Sequence, residues 1–454
     1  MNTERIEVKD DSYLKPDIND NHPVEKQETK EHKSNRPSWL PEKFSNAEEL
    51  AKSYTELEKL VSKQLNSIFD EFERKIALVS EYPPVHSGFA TYAHFLVDAF
   101  RPLNLEIHLL PVTRTRVDYE AILDSLDETK ELDLIHLNHG YDCFEISNEF
   151  ITFLEELRYR AKVVTTMHTV NHFRKGTDIQ WFNKEIANKT DILIVHSSIM
   201  KEELLRQGIL PEKILIIPHG TKVLPFISGE ESGSKATRAA CGIPQNMKMV
   251  LAFGFLEPDK GFEELMMVVP QMREVFLVIA GEKASKDDGQ FVDRLQAIGD
   301  SQLEGRFKLI NHYLAEAELL QLMAASDVIV MPYRPSDPND IHYSVSGVLH
   351  LALGQRKPIV ACSNPKFIEL ENLIPELVVP SMNSSALSSV LERVMTDASF
   401  RESAVAKISK YADETSWEKV ARLHVKAYKK ALQTTLPGYH DIEGIRLRNT
   451  SRRL

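Results

Sequence analysis

The chain contains 454 residues, of which 42% are hydrophobic and 27% are charged, a composition typical of a globular protein. One hydrophobic core rarely extends over so many residues, so we expect two domains with additional segments. The formal net charge of −12, from 55 basic and 67 acidic residues, argues against a general nucleic-acid-binding surface.

The cysteines and the apolar segments bear on the cellular compartment. Cys143, Cys241 and Cys362 lie far apart and match no zinc-binding or redox spacing, which favours a reducing compartment. No stretch reaches the roughly 18 apolar residues of a membrane span, and the first residues lack an apolar signal core. We therefore expect a cytoplasmic protein whose contact with membranes is at most peripheral.

The N-terminal region divides into two segments. Residues 1–45 are rich in Asp, Glu, Lys, Asn and Pro and are expected to be a disordered tail. Residues 46–72 carry apolar side chains three and four positions apart, which predicts an amphipathic helix capped by Asn46. Its apolar stripe needs a cover, which would be either the body of the protein or a second copy in a homodimer.

Residues 73–225 are predicted to form a first Rossmann-like domain. Short apolar runs alternate with helical segments, a pattern that indicates a doubly wound parallel sheet. The predicted strands are 75–80, 107–110, 134–137, 163–167, 192–195 and 214–217, and the predicted helices lie near 89–100, 118–127, 146–159, 179–188 and 198–207.

A linker at 226–246 leads to a second Rossmann-like domain at 247–412, followed by a closing helix at 413–433 and a polar tail at 434–454. Two such α/β domains predict a cleft between them, where ligands bind. The predicted strands are 249–253, 276–280, 307–310, 328–331, 358–361 and 377–379, and the predicted helices lie near 261–270, 289–298, 315–325 and 345–353.

The segment from 327 to 361 contains a candidate anion-binding site. A buried strand at 328–331 precedes a Pro-rich loop at 332–343, and then Ser344, Ser346 and Gly347 begin a helix. A helix start at the carboxyl end of a parallel strand offers free backbone N–H groups to an anion. The alternative is that the two serines only cap a core helix.

Five short segments carry a resemblance to a known family. The segments are 82–92 with Tyr-Pro-Pro and Ser-Gly-Phe-Ala-Thr-Tyr, 164–168 with Val-Thr-Thr-Met-His, 217–220 with Ile-Pro-His-Gly, 253–261 ending in Lys-Gly, and 416–421 with Ser-Trp-Glu-Lys-Val-Ala. In this order, and within about residues 73–433, they resemble segments of the retaining glycosyltransferases of family 4, whose fold is GT-B and whose third segment reads Ile-Pro-Asn-Gly.

This resemblance implies a retaining hexosyltransferase with a nucleotide-diphosphate sugar, linked to UDP or GDP, as co-substrate. The acceptor would be a hydroxyl group of a carbohydrate, of a lipid-linked molecule or of another small molecule. In such enzymes the leaving phosphate is thought to help deprotonate the incoming hydroxyl. No cofactor and no metal are therefore expected, and no Asp-x-Asp signature follows a nucleotide-binding strand.

The same resemblance, combined with the residue types, assigns candidate roles. Lys260 lies at a helix start, where a point charge reaches a phosphate, and His168 ends a strand on the cleft side. We take both as catalytic candidates, the alternative for His168 being a packed core histidine. The donor-binding candidates are Lys260, Gly88, Ser344, Ser346, Gly347, Arg334 and Asp340, and the acceptor-side candidates are Glu81 and His86.

The sequence also departs from the family pattern. Tyr343 and Leu351 stand where the family commonly has two glutamates, and Phe255 stands where an arginine is expected. Lys283 and Arg356 are candidates to replace that arginine. Two alternatives stay open: a catalytically silent GT-B protein that binds or assembles partners, and a sugar-nucleotide epimerase of the same fold.

Overall fold

The structure is a computed structural model that describes residues 73–113, 117–129, 132–223, 230–283 and 289–434, with a few positions between 44 and 56. Positions 48–50, 52–53 and 55–56 are helical, and Asn46 Oδ1 accepts from the Glu49 N–H at 2.8 Å, as expected of the predicted cap. The remaining positions of the predicted 46–72 helix lie outside the described residues. Nearly all of both predicted tails also lies outside them. Within the described ranges, no helix combines the length and apolar character needed to cross a membrane.

The first domain is a six-stranded sheet with the order β2-β1-β3-β4-β6-β7, and every pair in it is parallel. Its central strands are buried, as their continuous apolar runs predicted. Its strands, with β5 outside the sheet, are β1 (Arg74–Ser80), β2 (Leu105–Pro111), β3 (Leu134–His139), β4 (Lys162–Met167), β5 (Thr169–Arg174), β6 (Ile192–Val195) and β7 (Ile214–Ile216). Its helices are Gly88–Phe100, Tyr119–Glu128, Asn148–Arg160, Ile179–Lys189 and Ser198–Arg206, with 3-10 turns at Arg101–Leu103 and Pro211–Lys213.

The second domain repeats this plan with the parallel order β10-β9-β8-β11-β13-β14. Its strands are β8 (Lys248–Phe253), β9 (Val275–Gly281), β10 (Phe307–Asn311), β11 (Val328–Met331), β12 (Asp340–Ser344), β13 (Ile359–Cys362) and β14 (Val378–Val379). Its helices are Glu230–Ala240, Phe262–Val268, Gln290–Gln302, Glu316–Ala325, Gly347–Leu353, Ile368–Leu373, Ser384–Thr396 and Ala398–Glu414, with 3-10 turns at Pro258–Lys260, Val269–Gln271, Pro365–Phe367 and Pro375–Leu377. The predicted alternation of strands and helices is confirmed in both domains.

One predicted loop is wrong at its end. The Pro-rich segment 332–343 was expected to lack regular structure, but β12 pairs with β5 as an antiparallel ribbon that joins the two domains. The sequence of β12, Asp-Ile-His-Tyr-Ser, alternates polar and apolar side chains, which suits a half-exposed strand. The ribbon aligns Ser344 with Thr169 and so brings the start of the key helix beside the end of β4.

The last helix, Trp417–Gln433, packs on the first domain rather than on the second. Trp417, Val420 and Tyr428 are buried in one apolar cluster with Tyr92 and Leu96 of the helix Gly88–Phe100. The two chain segments that cross between the domains also lie side by side, since the Thr221 N–H donates to the Thr415 carbonyl at 2.8 Å. These contacts connect the two domains at the side of the cleft where the chain crosses from one domain to the other.

Candidate active site

A cleft of about 490 Å³ lies between the two sheets, at the carboxyl ends of their strands. Ligands of open parallel sheets bind at this edge because the loops and helix starts converge there. Of the residues that the sequence singled out, those that line the cleft are Gly88, His168, Lys260, Ser344, Ser346 and Gly347.

At the end of the loop after β1, Gly88 faces the cleft, whereas the carboxylate of Glu81 is buried below the loop. Ser87 caps the helix Gly88–Phe100, its Oγ accepting from the Ala90 N–H at 3.0 Å, and its hydroxyl donates to Glu81. Glu81 is only 1% exposed, so this predicted acceptor-side residue supports the loop and does not line the cleft. Gly88 has open space where a Cβ would stand.

His86 lies at the edge of the cleft and touches the second domain. Its ring stacks on that of Tyr313 with a centroid distance of 3.6 Å and an interplanar angle of 10°. Its Nδ1 is 3.2 Å from Glu282 Oε2. Tyr313 and Glu282 both line the cleft, so His86 reaches the site through them.

The hydrogen-bond network defines the tautomer of His168. His196 Nδ1 is 3.0 Å from the Ile217 carbonyl and must donate to it, which leaves His196 Nε2 as an acceptor. His168 Nδ1, 3.1 Å from that Nε2, therefore carries the proton. Burial lowers the pKa of His196 to about 4. Burial, followed by the neighbouring His196, lowers the pKa of His168 well below its usual value. The Nε2 of His168, which has no partner among the described residues, is thus a neutral acceptor.

His219 is a second imidazole in the cleft wall, which the sequence reasoning did not single out. Its Nδ1 donates to the Gly220 carbonyl at 2.8 Å, so its Nε2 is again an acceptor. That Nε2 is 3.7 Å from the position that a Cβ on Gly347 would occupy. Burial, followed by the charge of His350, lowers the pKa of His219 well below its usual value. The signal in the sequence was a histidine where the family segment has asparagine.

Lys260 lies in the cleft wall and is already paired. Its Nζ is 2.9 Å from Asp259 Oδ2 and 3.5 Å from Glu257 Oε2, and it lies 4.8 Å from the centre of the Tyr333 ring. Burial opposes its charge, but Tyr333, Asp259 and Glu257 outweigh burial and raise the pKa of Lys260. Lys260 is therefore a charged group over the whole physiological pH range.

Lys366 also lines the cleft and was missed from the sequence. It lies in the 3-10 turn Pro365–Phe367 directly after β13. The rule that ligands bind at the carboxyl ends of parallel strands applies to β13 as well as to β11, and this was the signal available.

The start of the helix Gly347–Leu353 combines a cap with an open backbone. Ser346 Oγ accepts from the Leu349 N–H at 3.2 Å, which is the capping role expected of the serine. Ser344, at the end of β12, and Ser346 are both buried, while Gly347 opens on the cleft. The cap and the cleft contact are therefore features of one segment and do not exclude each other.

Two predicted donor-binding residues lie outside the cleft lining. Arg334 binds Glu264 Oε1 through Nε at 2.7 Å and Glu263 Oε2 through Nη2 at 2.8 Å. Asp340 is part of the interdomain ribbon and accepts from Asn171 Nδ2 at 3.4 Å. Both side chains hold structure together near the site.

Two family models match the chain. Residues 86–223 match "Glycosyltransferase Family 4", and residues 247–397 match "Glycosyl transferases group 1". Each segment lies within one Rossmann-like domain, and β1 and the last two helices, Ala398–Glu414 and Trp417–Gln433, lie outside the matches.

Curated relatives match over part of their length. An uncharacterized glycosyltransferase of Methanocaldococcus jannaschii is 28% identical over 252 residues, which are 53% of this chain and 60% of that protein. A D-inositol 3-phosphate glycosyltransferase of Corynebacterium diphtheriae is 23% identical over 158 residues, 33% of this chain and 36% of that protein. The chain thus spans less than two thirds of either relative.

Solved structures share the fold at low sequence identity. Anabaena HepE, in complex with UDP and glucose, is 16% identical with a TM-score of 0.59, covering 78% of this chain and 99% of its own. Sucrose-phosphate synthase of Thermosynechococcus elongatus is 19% identical with a TM-score of 0.59, covering 79% and 98%. The expected GT-B fold is confirmed, and residues 86–223 and 247–397 of this chain are similar to two families of glycosyltransferases.

Proposed function

We propose that this protein is a glycosyltransferase that moves a hexosyl unit from a nucleotide-diphosphate sugar to a hydroxyl acceptor, with retention of the anomeric configuration. The observation that carries the proposal is the convergence of Gly88, His168, Lys260 and the Gly347 helix start on one interdomain cleft. The HepE structures with UDP and with UDP-glucose support a nucleotide sugar as the donor class.

The diphosphate would lie on the side of the second domain. Lys260 supplies a positive charge there, and the backbone N–H groups at Ser346 and Gly347 supply donors that need no reorganisation. Stabilising the leaving diphosphate is the main task of the protein in this reaction, because that phosphate takes the proton of the incoming hydroxyl. The proposal therefore includes no metal ion and no catalytic carboxylate.

The hexosyl unit would face the first domain. His168 Nε2 is a neutral acceptor without a partner among the described residues, and sugar hydroxyls are donors of matching polarity. A buried acceptor that gains a hydrogen bond only when ligand is bound favours the bound state. His168 thereby positions the sugar, and the histidine remains uncharged while doing so.

Donor class and stereochemistry are tested in sequence. Thermal unfolding is measured with UDP, GDP, ADP and their sugar conjugates, since a ligand that binds the native state raises the melting temperature. The stabilising α-linked donor is then incubated with an acceptor panel and with water, and the anomeric proton of the first-formed product is followed by NMR. An α product supports retention, whereas a β product contradicts it.

One alternative function has specific support. Leu351 lines the cleft where the family commonly has a glutamate, and Phe255 lines it where an arginine is expected. A GT-B protein that binds nucleotide diphosphates without turnover would show these losses. Melting-temperature shifts with nucleotide diphosphates, combined with no product over the whole acceptor panel and no hydrolysis, would favour this alternative over catalysis.

A further inference from the structure

Lys366 is held in place by its own turn. Its backbone N–H donates to Asn364 Oδ1 at 3.1 Å, and the Asn364 Nδ2 donates to the Arg334 carbonyl at 2.9 Å. Asn364 is 8% exposed, so this turn is anchored in the body of the second domain. The side chain of Lys366 leaves the turn into the wall of the cleft.

The two lysines of the cleft differ in their counter-ions. Lys260 is paired with Asp259 and Glu257, whereas Lys366 has no carboxylate within 4.0 Å in the part of the chain that the structure describes. Burial and the neighbouring Lys260 lower the pKa of Lys366, and they outweigh the opposite effect of the more distant Asp259, Glu257 and Asp142. A half-buried ammonium group beside a second cation is unfavourable unless an anion joins them.

The residues previously considered as replacements for the missing arginine do not reach the cleft. Arg356 binds Asp413 at 2.7 Å, and Lys283 is exposed, and neither lines the cleft. Phe255, 37% exposed, occupies the lining at the expected arginine position. Lys366 thus supplies the cleft with a cation that forms no ion pair within 4.0 Å with any residue the structure describes.

We propose that Lys366 is the second cation of the donor site and binds the diphosphate together with Lys260. This inference rests on the proposed function, since it assigns the diphosphate of that donor to a further residue. Asp259 and Glu257 lie within 4.0 Å of Lys260 but act on Lys366 from a greater distance, so they offset the charge of Lys366 less.

The experiment compares three variants of the full-length protein. Lys366→Met keeps the aliphatic stem and removes the charge, Lys366→Arg keeps the charge, and Lys283→Met removes an exposed charge outside the cleft lining. Binding of inorganic pyrophosphate and of UDP, GDP and ADP is measured by calorimetry at several salt concentrations. Thermal unfolding without ligand checks that each variant is folded.

Lys366→Met is expected to bind pyrophosphate and the preferred nucleotide about tenfold to a hundredfold more weakly, the range of a lost charge-assisted contact. Its affinity should also depend less on salt, an effect that a merely structural residue would not produce. Lys366→Arg and Lys283→Met should bind nearly as the parent does.

Two results would overturn the inference, and they are distinguishable. If the parent binds a nucleotide diphosphate and folded Lys366→Met binds it equally well with the same salt dependence, Lys366 is not part of the site and the proposed function stands. If the parent binds neither pyrophosphate nor any of the nucleotides, the donor site itself is absent and the proposed function fails with it.

Discussion

A single added methyl group at Gly347 should affect the stability of the protein and its affinity for the donor differently. Gly347 is the first residue of its helix, and its φ lies outside the left-handed region. A Cβ at this position would meet only His219 Nε2, at 3.7 Å, which is an ordinary van der Waals contact. An alanine therefore fits the unliganded protein at this position, and its methyl group would meet a ligand that approaches from the cleft.

Gly347→Ala should consequently change stability and binding in opposite directions. Replacing glycine by alanine at a compatible position stabilises a protein by about 0.4–1 kcal/mol. A methyl group that intrudes on a bound diphosphate costs about 1–3 kcal/mol, which weakens binding roughly 5- to 150-fold.

The matched control is Ser346→Ala, one residue earlier. It removes the cap on the Leu349 N–H and should cost about 1 kcal/mol of stability, while the backbone donors that face the cleft remain. Its donor affinity should fall by only about 0.5–1.5 kcal/mol. Melting temperature and calorimetric affinity for a nucleotide diphosphate are measured for both variants. If folded Gly347→Ala binds as tightly as the parent, the phosphates do not lie at this helix start.

Three further predictions concern charge, backbone and pH. Lys260→Ala should weaken donor binding by about 1.5–3 kcal/mol, measured by calorimetry, and parental affinity in this variant would remove Lys260 from the site. Gly261→Ala should lower the free energy of unfolding, measured in urea, by more than about 2 kcal/mol. The φ angle of Gly261 is +68°, and a Cβ there would lie 1.9 Å from the Pro332 carbonyl oxygen. Unchanged stability of the variant would contradict this close contact. The free energy of unfolding should also fall as pH is lowered from about 6.5 towards 4. Each histidine that is neutral when folded and protonated when unfolded contributes a decrease of about 1.4 kcal/mol per pH unit. A free energy of unfolding that does not change over this pH range would refute this prediction. Those histidines, whose pKa values burial lowers, are His136, His139, His168, His196, His219 and His424.

The fold was predictable because its signal is local. The run Val328–Met331 is short, β-branched and bounded by polar residues, and the strand in the structure has the same bounds. The same holds for the alternation of elements in both domains. The ribbon of β5 and β12 was not predictable in this way, because its two strands are more than 150 residues apart and pairing over that distance leaves no local pattern.

Residues of the site were predictable only where a single segment of the sequence shows their role. Gly347 and Ser346 could be singled out because a helix start after a strand is visible in the sequence. The tautomer of His168 could not, since it depends on His196 and on the Ile217 carbonyl, which belong to other strands and loops. Lys366 was missed for a similar reason, because its position in the cleft beside Lys260 depends on packing between segments about 100 residues apart.

The cations that line the cleft belong to the second domain, where Glu282 and Glu316 also line it, and in the proposed function these cations orient a bound donor. Lys260 and Lys366 both belong to the second domain, whereas His168 and His219 present neutral acceptor nitrogens from the first domain and its crossing segment. A diphosphate is attracted to the cations, and sugar hydroxyls can donate to the imidazoles. In the proposed function the donor would therefore enter with its phosphates towards Lys260 and Lys366 and with its hexosyl unit towards the two imidazoles.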